Sequence, residues 1–383
     1  MNNGNLRPIG LYIHVPFCRA RCLYCAFLSR PAGPSMQTDY TERLCSEIEG
    51  YFESNPGYEV RTVYVGGGTP STLGTGDIEL LLETIRRIAP AALETTFEVN
   101  PHLDDLLKIP VLLENGVNRL SIGVQSFDDA ELAIAGRLHD ACEAREFIGA
   151  CRDYGCRNMS FDLIHGLPGQ TVQSFEMSLE ESVKFDPDHL SLYGLSVESE
   201  SRLARLPEKQ FRSLALPDGD NQAEMYHLAR RLLGEAGYEQ YEISNFAKPG
   251  FACRHNLVYW SGGEYVGFGP GATSYVNGAR FRRISDVDNY LSAQSNGKNT
   301  IEFMESLSTR RAAAEALVMG LRLAEGIDRR GIETRFGIKI TDLVGEALIK
   351  YQEQGLLEVS EDTIRLTDRA YFISNAIFRD FIQ

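Results

Sequence analysis

Short apolar segments alternate with amphipathic segments through the first half of the chain. The apolar segments are rich in β-branched residues and bounded by glycine and polar residues, which is typical of buried strands. They lie at Leu11–Val15, Thr62–Val65, Thr95–Val99, Arg119–Val124, Asn158–Ile164 and Leu190–Leu195. Between them, segments such as "DIELLLETIRRI" and "EAREFIGACRDYG" carry apolar residues at helical spacing. The alternation predicts an α/β fold in which helices join parallel strands.

Six strand–helix units are compatible with an open sheet or with an incomplete β/α barrel. Polar or glycine-rich features follow six successive strands: a cysteine-rich loop, "GGGTPS", Glu98, "QSF", "DLIHGLPGQ" and Tyr193. A β/α barrel gathers its functional groups at the carboxyl ends of its strands. The common position of these six features therefore favours a partial, TIM-like (β/α)6 barrel.

The length of 383 residues predicts more than one hydrophobic core. We assign the barrel to residues 1–215 and an intermediate, Gly- and Tyr-rich segment to 216–300. Residues 301–383 show three helical patterns followed by a β hairpin in "LLEVSEDTIRL", which predicts a winged-helix-like domain. Because this tail has no net basic charge, docking or covering is a better prediction for it than DNA binding.

Overall charge narrows the classes of partner. The formal net charge is −15 and the sequence pI is about 5.0, whereas phosphate contacts need a basic face, so we expect no nucleic-acid partner. No apolar run is long enough to span a bilayer, so we expect no integral membrane segment. The N-terminus lacks the pattern of a secretory signal, and we expect a cytoplasmic protein.

Three of the eight cysteines, Cys18, Cys22 and Cys25, form the pattern CxxxCxxC, and the other five are scattered. A [4Fe–4S] cluster normally takes four cysteine thiolates, so three would leave one iron with an open position. The alternatives are a Cys₃His zinc site completed by His14, or three thiols together by chance. Zinc sites of this kind prefer paired CxxC knuckles, and the sequence has no second knuckle, which favours the cluster.

Further residues suit a role in ligand binding, and each also has a purely structural explanation. The glycine run in "YVGGGTP" suits close approach to a ligand or a tight turn. Glu98, Gln125, Arg137 and Asp162 suit a polar ligand, or each could be a satisfied structural group. In "RHNLVYW", His255 suits an axial ligand of heme iron or a loop held by hydrogen bonds.

Together these motifs resemble the radical S-adenosylmethionine enzymes, and within them the oxygen-independent coproporphyrinogen III oxidases and their relatives. The resemblance covers nearly the whole chain and implies a partial barrel, a [4Fe–4S] cluster and an electron donor such as flavodoxin or ferredoxin. It implies that S-adenosylmethionine occupies the open iron. The residues implied to contact this cofactor are Tyr12, Tyr24, Gly68, Thr69, Pro70, Glu98, Gln125, Arg137 and Asp162.

Two features separate the branches of that subgroup. The oxidases carry a further cysteine two residues after the third, and this chain has Phe27 there. The chain is therefore more similar to the heme chaperone branch, HemW, whose HNxxYW motif implies heme bound through His255 and delivered to acceptor hemoproteins. Members of that branch usually read "GAHS" where this chain reads "GATS", so Thr273 replaces a histidine. The "VPFC" of this chain is closer to the form found in the oxidases.

Two other classes of function stay open. The chain could be a radical enzyme that acts on a porphyrin or another tetrapyrrole, as the oxidases do. It could also be a binding protein in which the cluster only orders the fold or senses redox state.

Overall fold

Six parallel strands form the centre of the protein in the computed structural model, which describes residues 6–382. The strands are β1 (Arg7–Val15), β2 (Tyr58–Gly67), β3 (Glu94–Val99), β4 (Arg119–Gln125), β5 (Met159–His165) and β6 (His189–Gly194). They pair side by side in chain order, all parallel. Each predicted strand overlaps one of these six, so the predicted α/β fold is confirmed.

A helix or pair of helices follows each of the first five strands. These are α1 (Pro34–Ser54), α2 (Thr75–Ile88), α3 (Lys108–Glu114), α4 (Asp129–Ala135), α5 (Ala141–Asp153) and α6 (Val172–Lys184). Side chains cap the N-termini of several of these helices. The Asp128 carboxylate accepts two backbone N–H groups of α4, and Asp140 and Glu143 form a capping box on α5. The Asp128 cap lets α4 begin at Asp129, shortly after β4 ends at Gln125.

The segment after β6 extends the sheet at both edges. Its elements are α7 (Glu208–Ser213), α8 (Gly219–Glu235), β7 (Glu239–Glu242), β8 (Asn245–Ala247), α9 (Arg254–Trp260), β9 (Tyr265–Phe268), β10 (Thr273–Val276), β11 (Ala279–Arg283), α10 (Val287–Ser295) and β12 (Ile301–Ser306). β8 pairs antiparallel with β6, whereas β9 pairs parallel with β1. The intermediate segment therefore flanks the six-stranded core on both sides within one twelve-stranded sheet.

The C-terminal residues form a second hydrophobic core. Its elements are α11 (Thr309–Gly320), β13 (Ile327–Asp328), α12 (Arg329–Phe336), α13 (Ile340–Glu353), β14 (Leu357–Val359), β15 (Thr363–Leu366) and α14 (Ser374–Ile382). The three predicted helices and the hairpin of β14 and β15 are present, and α14 was not predicted. Residues 1–5 and 383 of the predicted segments lie outside the described residues.

No helix within residues 6–382 is both long enough and apolar enough to cross a membrane.

A buried carboxylate attaches α9 to the central sheet. Glu94 opens β3 and is only 4% exposed. Its two oxygens accept the backbone N–H groups of Arg254 and His255, at 2.9 and 3.0 Å, and the Cys253 thiol lies 3.4 Å away. The first N–H groups of a helix lack partners within the helix, so this carboxylate stabilises the start of α9.

Replacing Glu94 by alanine should lower the free energy of unfolding by about 1–2 kcal/mol, because the N–H groups of Arg254 and His255 lose their acceptor. Glu94→Gln, which keeps one acceptor oxygen, should lose less. Urea unfolding of the protein without bound cofactors measures both, and Glu83→Ala, at an exposed position on α2, is the matched control. Equal stability of Glu94→Ala and Glu83→Ala would contradict this role.

Candidate functional site

The cysteine loop, residues 16–33, leaves the end of β1 and is closed at its base by two backbone hydrogen bonds. The N–H of Cys18 donates to the Arg30 carbonyl at 3.1 Å, and the N–H of Arg30 donates to the Pro16 carbonyl at 2.9 Å. The next residue, Arg19, makes a bidentate ion pair with the fully buried Asp105, at 2.8 and 2.9 Å. The loop is thus anchored on both sides of its first cysteine.

All three predicted ligand thiols line one cavity of about 630 Å³ at the carboxyl ends of the six parallel strands. We call it the cysteine cavity. It also contains seven of the nine residues predicted to contact S-adenosylmethionine: Tyr24, Gly68, Thr69, Glu98, Gln125, Arg137 and Asp162. The features that followed successive strands in the sequence therefore do converge in space.

The other two predicted contact residues, Tyr12 and Pro70, do not line this cavity. Pro70 is buried and begins a single 3₁₀ turn behind the glycine run. Tyr12 points to the other side of β1, where its hydroxyl lies 3.0 Å from Nδ1 of His14. Their predicted contact with S-adenosylmethionine has no support from this placement.

The glycine run brings the end of β2 against the cysteine loop. The N–H of Gly68 donates to the Val15 carbonyl at 2.8 Å, and the N–H of Thr69 donates to the Phe17 carbonyl at 2.7 Å. A Cβ at Gly68 would lie 2.5 Å from the Phe17 oxygen, and one at Gly66 would lie 2.7 Å from the Glu98 carboxyl carbon. Only glycine permits these approaches.

Glu98 and Asp162 are half-buried carboxyl groups on neighbouring walls of the cysteine cavity. The Tyr64 hydroxyl donates to Glu98 at 2.8 Å and the Gly67 N–H donates at 3.0 Å, while the Ser121 hydroxyl contacts Asp162 at 3.0 Å. Burial, together with the charge of Asp162, raises the pKa of Glu98 to about 7. Burial also raises the pKa of Asp162.

Asn100 also lines the cysteine cavity and is not among the site residues predicted from the sequence. Its side chain bonds to Thr69 at 2.7 Å and to Arg137 at 2.6 Å. A signal for it was present in "EVNP", because residues 98 and 100 share a face of an extended chain.

A second cavity of about 470 Å³ lies on the other side of the cysteine loop. We call it the aromatic cavity. Its lining residues are Tyr12, His14, Ala26, Phe27, Leu28, Tyr259, Trp260, Tyr265, Pro270, Gly271, Ala272, Thr273 and Met319. Ala26 and Phe27 line both cavities, so one short stretch of chain separates them.

His255, the predicted heme ligand, lies on the fully buried face of α9 and lines neither cavity. Its Nδ1 lies 2.9 Å from the Thr62 hydroxyl and its Nε2 lies 2.8 Å from the Tyr259 hydroxyl. Burial, with a contribution from the charge of Arg119, lowers its pKa to about 3, so the ring is neutral at pH 7. In this arrangement both ring nitrogens are already engaged.

Comparisons with known proteins identify the family. Family models match residues 12–181 (Radical SAM superfamily) and residues 307–373 (HemN C-terminal domain). The heme chaperone HemW of Bacillus subtilis (strain 168) is 33% identical over 374 residues, which are 97% of this chain and 98% of that protein. HemW of Escherichia coli (strain K12) is 38% identical over 274 residues, or 71% of each chain.

The chain belongs to the HemW family of radical SAM proteins.

The solved structure of coproporphyrinogen III oxidase (HemN) from Escherichia coli has the same fold. Its TM-score is 0.86 at 23% sequence identity, with 99% of this chain and 91% of that chain covered. The predicted partial barrel with a C-terminal domain is therefore confirmed for this HemW family member.

Membership of the radical SAM superfamily implies a [4Fe–4S] cluster and S-adenosylmethionine, and the cysteine cavity suits both. Within residues 6–382, no group of three or more His, Cys, Asp or Glu side chains is arranged to hold a single metal ion. A cluster takes one thiolate per iron, so its ligands need not converge on one ion. His14, the alternative zinc ligand, has its Nε2 3.0 Å from the Leu28 carbonyl and its Nδ1 beside Tyr12.

The raised pKa of Glu98 predicts a pH-dependent stability. The folded protein keeps a proton on Glu98 up to about pH 7, whereas the unfolded chain loses it near pH 4.5. Unfolding therefore releases a proton between these values, and the contribution of Glu98 to stability falls as the pH rises through them. Above about pH 7 this contribution is constant.

Glu98→Gln removes this proton release, so the variant should gain stability relative to the parent as the pH rises from 4.5 to 7. The expected gain is on the order of 3 kcal/mol. Urea unfolding of the cofactor-free protein across this range measures it, with Glu83→Gln on the exposed face of α2 as the control. A stability difference that stays flat with pH would show that Glu98 is ionised throughout.

Proposed function

We propose that this chain is a heme chaperone that binds heme in the aromatic cavity and delivers it to acceptor hemoproteins. The cysteine cavity beside it would hold a [4Fe–4S] cluster and S-adenosylmethionine. The observation that carries the proposal is the pair of cavities sharing Ala26 and Phe27, one lined by thiols and one by aromatic rings. The relatives named heme chaperones match nearly the full length of the chain.

In the cysteine cavity, Cys18, Cys22 and Cys25 are the proposed cluster ligands. Burial raises the pKa of Cys18 and Cys25, so each thiol keeps its proton until a metal displaces it. When bound, the cluster supplies one-electron reduction to S-adenosylmethionine, with electrons from an external donor such as flavodoxin or ferredoxin.

The remaining residues of the cysteine cavity suit the charges of S-adenosylmethionine. The half-buried carboxyl groups of Glu98 and Asp162 can accept from its ammonium and ribose groups, and Arg137 can pair with its carboxylate. Tyr24, Gly68, Thr69 and Gln125 complete the wall. Tyr12 and Pro70 are proposed to act from behind it, Pro70 by shaping the turn after the glycine run and Tyr12 through His14.

In the aromatic cavity, the walls come from four parts of the chain. Tyr12 belongs to β1, Phe27 to the cysteine loop, Trp260 to α9 and Met319 to α11 of the C-terminal domain. Aromatic and thioether side chains suit the flat, apolar face of a tetrapyrrole. Thr273, where the branch usually has histidine, also lines this cavity, so a replaced ligand position would lie at the proposed heme.

Porphyrinogen oxidation is less well supported. HemN shares the fold at 23% identity, which is a likeness of fold alone. Phe27 is 68% exposed at the position where the oxidases carry a further cysteine. The proposal includes a cytoplasmic location and acceptor hemoproteins.

Anaerobic reconstitution followed by heme titration tests the proposal. The parent should bind iron and sulfide rather than zinc and should then give a saturable Soret change with heme. Phe27→Ala should weaken heme binding about tenfold, because an aromatic contact is lost without disturbing a buried core. Phe303→Ala, on the exposed strand β12, is the matched control.

Colourless protein that contains zinc would contradict the cluster. Heme affinity that is equal in the parent, Phe27→Ala and Phe303→Ala would contradict the assignment of heme to the aromatic cavity. Rapid coproporphyrinogen turnover by the parent would favour the oxidase reading.

We also propose that His255 contributes to heme binding. Two variants test whether it does so as an axial ligand or by holding Tyr259 in place. Axial ligation by its ring requires Nε2 to leave the Tyr259 hydroxyl. We expect instead that His255 holds Tyr259 against the aromatic cavity. His255→Ala and Tyr259→Phe should then both weaken heme binding without changing the Soret maximum or the spin state of bound heme.

If His255 is an axial ligand, only His255→Ala should change the spectrum. Tyr259→Phe would then leave binding intact or strengthen it, since it frees Nε2.

A further inference from the structure

Three polar side chains form a chain of hydrogen bonds that joins two of the three cysteine sulfurs. The Thr69 hydroxyl lies 3.4 Å from Sγ of Cys18. Asn100 Nδ2 donates to the Thr69 hydroxyl at 2.7 Å, and Arg137 Nη2 donates to Asn100 Oδ1 at 2.6 Å. Arg137 Nη1 then donates to Sγ of Cys22 at 3.4 Å. We call these three side chains the sulfur bridge.

The direction of every hydrogen bond in the sulfur bridge follows from Arg137. A guanidinium can only donate, so the amide of Asn100 must turn its oxygen towards Arg137 and its NH₂ towards Thr69. The Thr69 oxygen therefore accepts from Asn100, and its own hydrogen is left for Cys18. If Cys18 is a thiolate, Thr69 must be the donor, because a thiolate has no hydrogen to give.

Backbone packing holds the sulfur bridge in this arrangement. Arg137 Nη2 also donates to the Gly123 carbonyl at 2.7 Å. A Cβ at Gly123 would lie 2.7 Å from Asn100 Oδ1 and 3.4 Å from Arg137 Nη2. The absence of a side chain on this stretch of β4 therefore gives Asn100 the space in which it meets Arg137.

We propose that Asn100 is a positioning residue that keeps Thr69 and Arg137 donating to the Cys18 and Cys22 sulfurs, and that the sulfur bridge raises the reduction potential of the bound cluster. The inference rests on the cluster of the proposed function. Reduction adds one electron from an external donor to the cluster, with no bond formed or broken. The reduced cluster carries more negative charge, so hydrogen bonds to its sulfurs stabilise it more than the oxidised form.

The first test is Thr69→Val, which is nearly isosteric and removes the hydroxyl that faces Cys18. In reconstituted protein without S-adenosylmethionine, we expect the equilibrium constant for one-electron reduction to fall about tenfold, a lower potential by about 59 mV. Potentiometric titration followed by electron paramagnetic resonance measures it, with iron counted per chain. Thr72→Val is the matched control, because its hydroxyl bonds to the Thr69 carbonyl at 2.8 Å and not to sulfur.

The second test asks whether Asn100 acts through Thr69. Asn100→Ala should also lower the potential, and its effect should be smaller in the Thr69→Val background than in the parent. Equal effects in both backgrounds would show that Asn100 acts independently of Thr69 and would overturn the inference. A parent-like potential in Thr69→Val would overturn it too, even if Asn100→Ala fails to retain the cluster.

Different results would contradict the proposed function and the role of the sulfur bridge. A parent protein that takes up no iron and sulfide contradicts the proposed function itself. A parent with a full cluster, beside Thr69→Val and Asn100→Ala proteins with full clusters and unchanged potentials, contradicts only the sulfur bridge.

Discussion

The hydrogen bonding between the first two parallel strands continues beyond their ends, and the whole site depends on this continuation. The register of β1 and β2 sets Val15 opposite Gly67, and the next two hydrogen bonds join Gly68 to Val15 and Thr69 to Phe17. The cysteine loop and the glycine turn are therefore one clamped unit. This is why the Cys18 thiol and the Thr69 hydroxyl meet although 51 residues separate them along the chain.

Buried charge strengthens that clamp and also shapes the site. Asp105, with no exposed surface, pairs with Arg19 of the loop and Lys108 of α3 and accepts from the Ser71 hydroxyl beyond the glycine turn. Through these contacts Asp105 holds three segments together: the cysteine loop, the turn after the glycine run and α3. Glu98, by contrast, accepts from the Tyr64 hydroxyl and the Gly67 N–H, and burial together with the charge of Asp162 raises its pKa. The two carboxyl groups thus differ in the side chains that surround them.

The cysteine loop is also the wall between two chemically different cavities. On one side it presents thiols to the carboxyl groups of Glu98 and Asp162 and to Arg137, and on the other it presents Phe27 to a set of aromatic side chains. Within the HNxxYW motif, Tyr259 and Trp260 line the aromatic cavity. His255 instead faces β2 and forms a hydrogen bond with the Tyr259 hydroxyl. The motif therefore combines a cavity wall with the support that holds it.

The sequence by itself determined the six strands, the α/β class, the cysteine loop and most of the cysteine cavity, because alternation and strand ends are local properties of the chain. It could not show where the side chains of Tyr12, His255 and Asn100 lie, since the cavity that each one meets or misses is built from separate segments of the chain. Tyr12 and His14 share the face of β1 that turns towards the aromatic cavity, and Asn100 matters only where Thr69 and Arg137 meet it. Only the tertiary structure decided these positions, because parallel pairing brings together side chains that no sequence spacing relates.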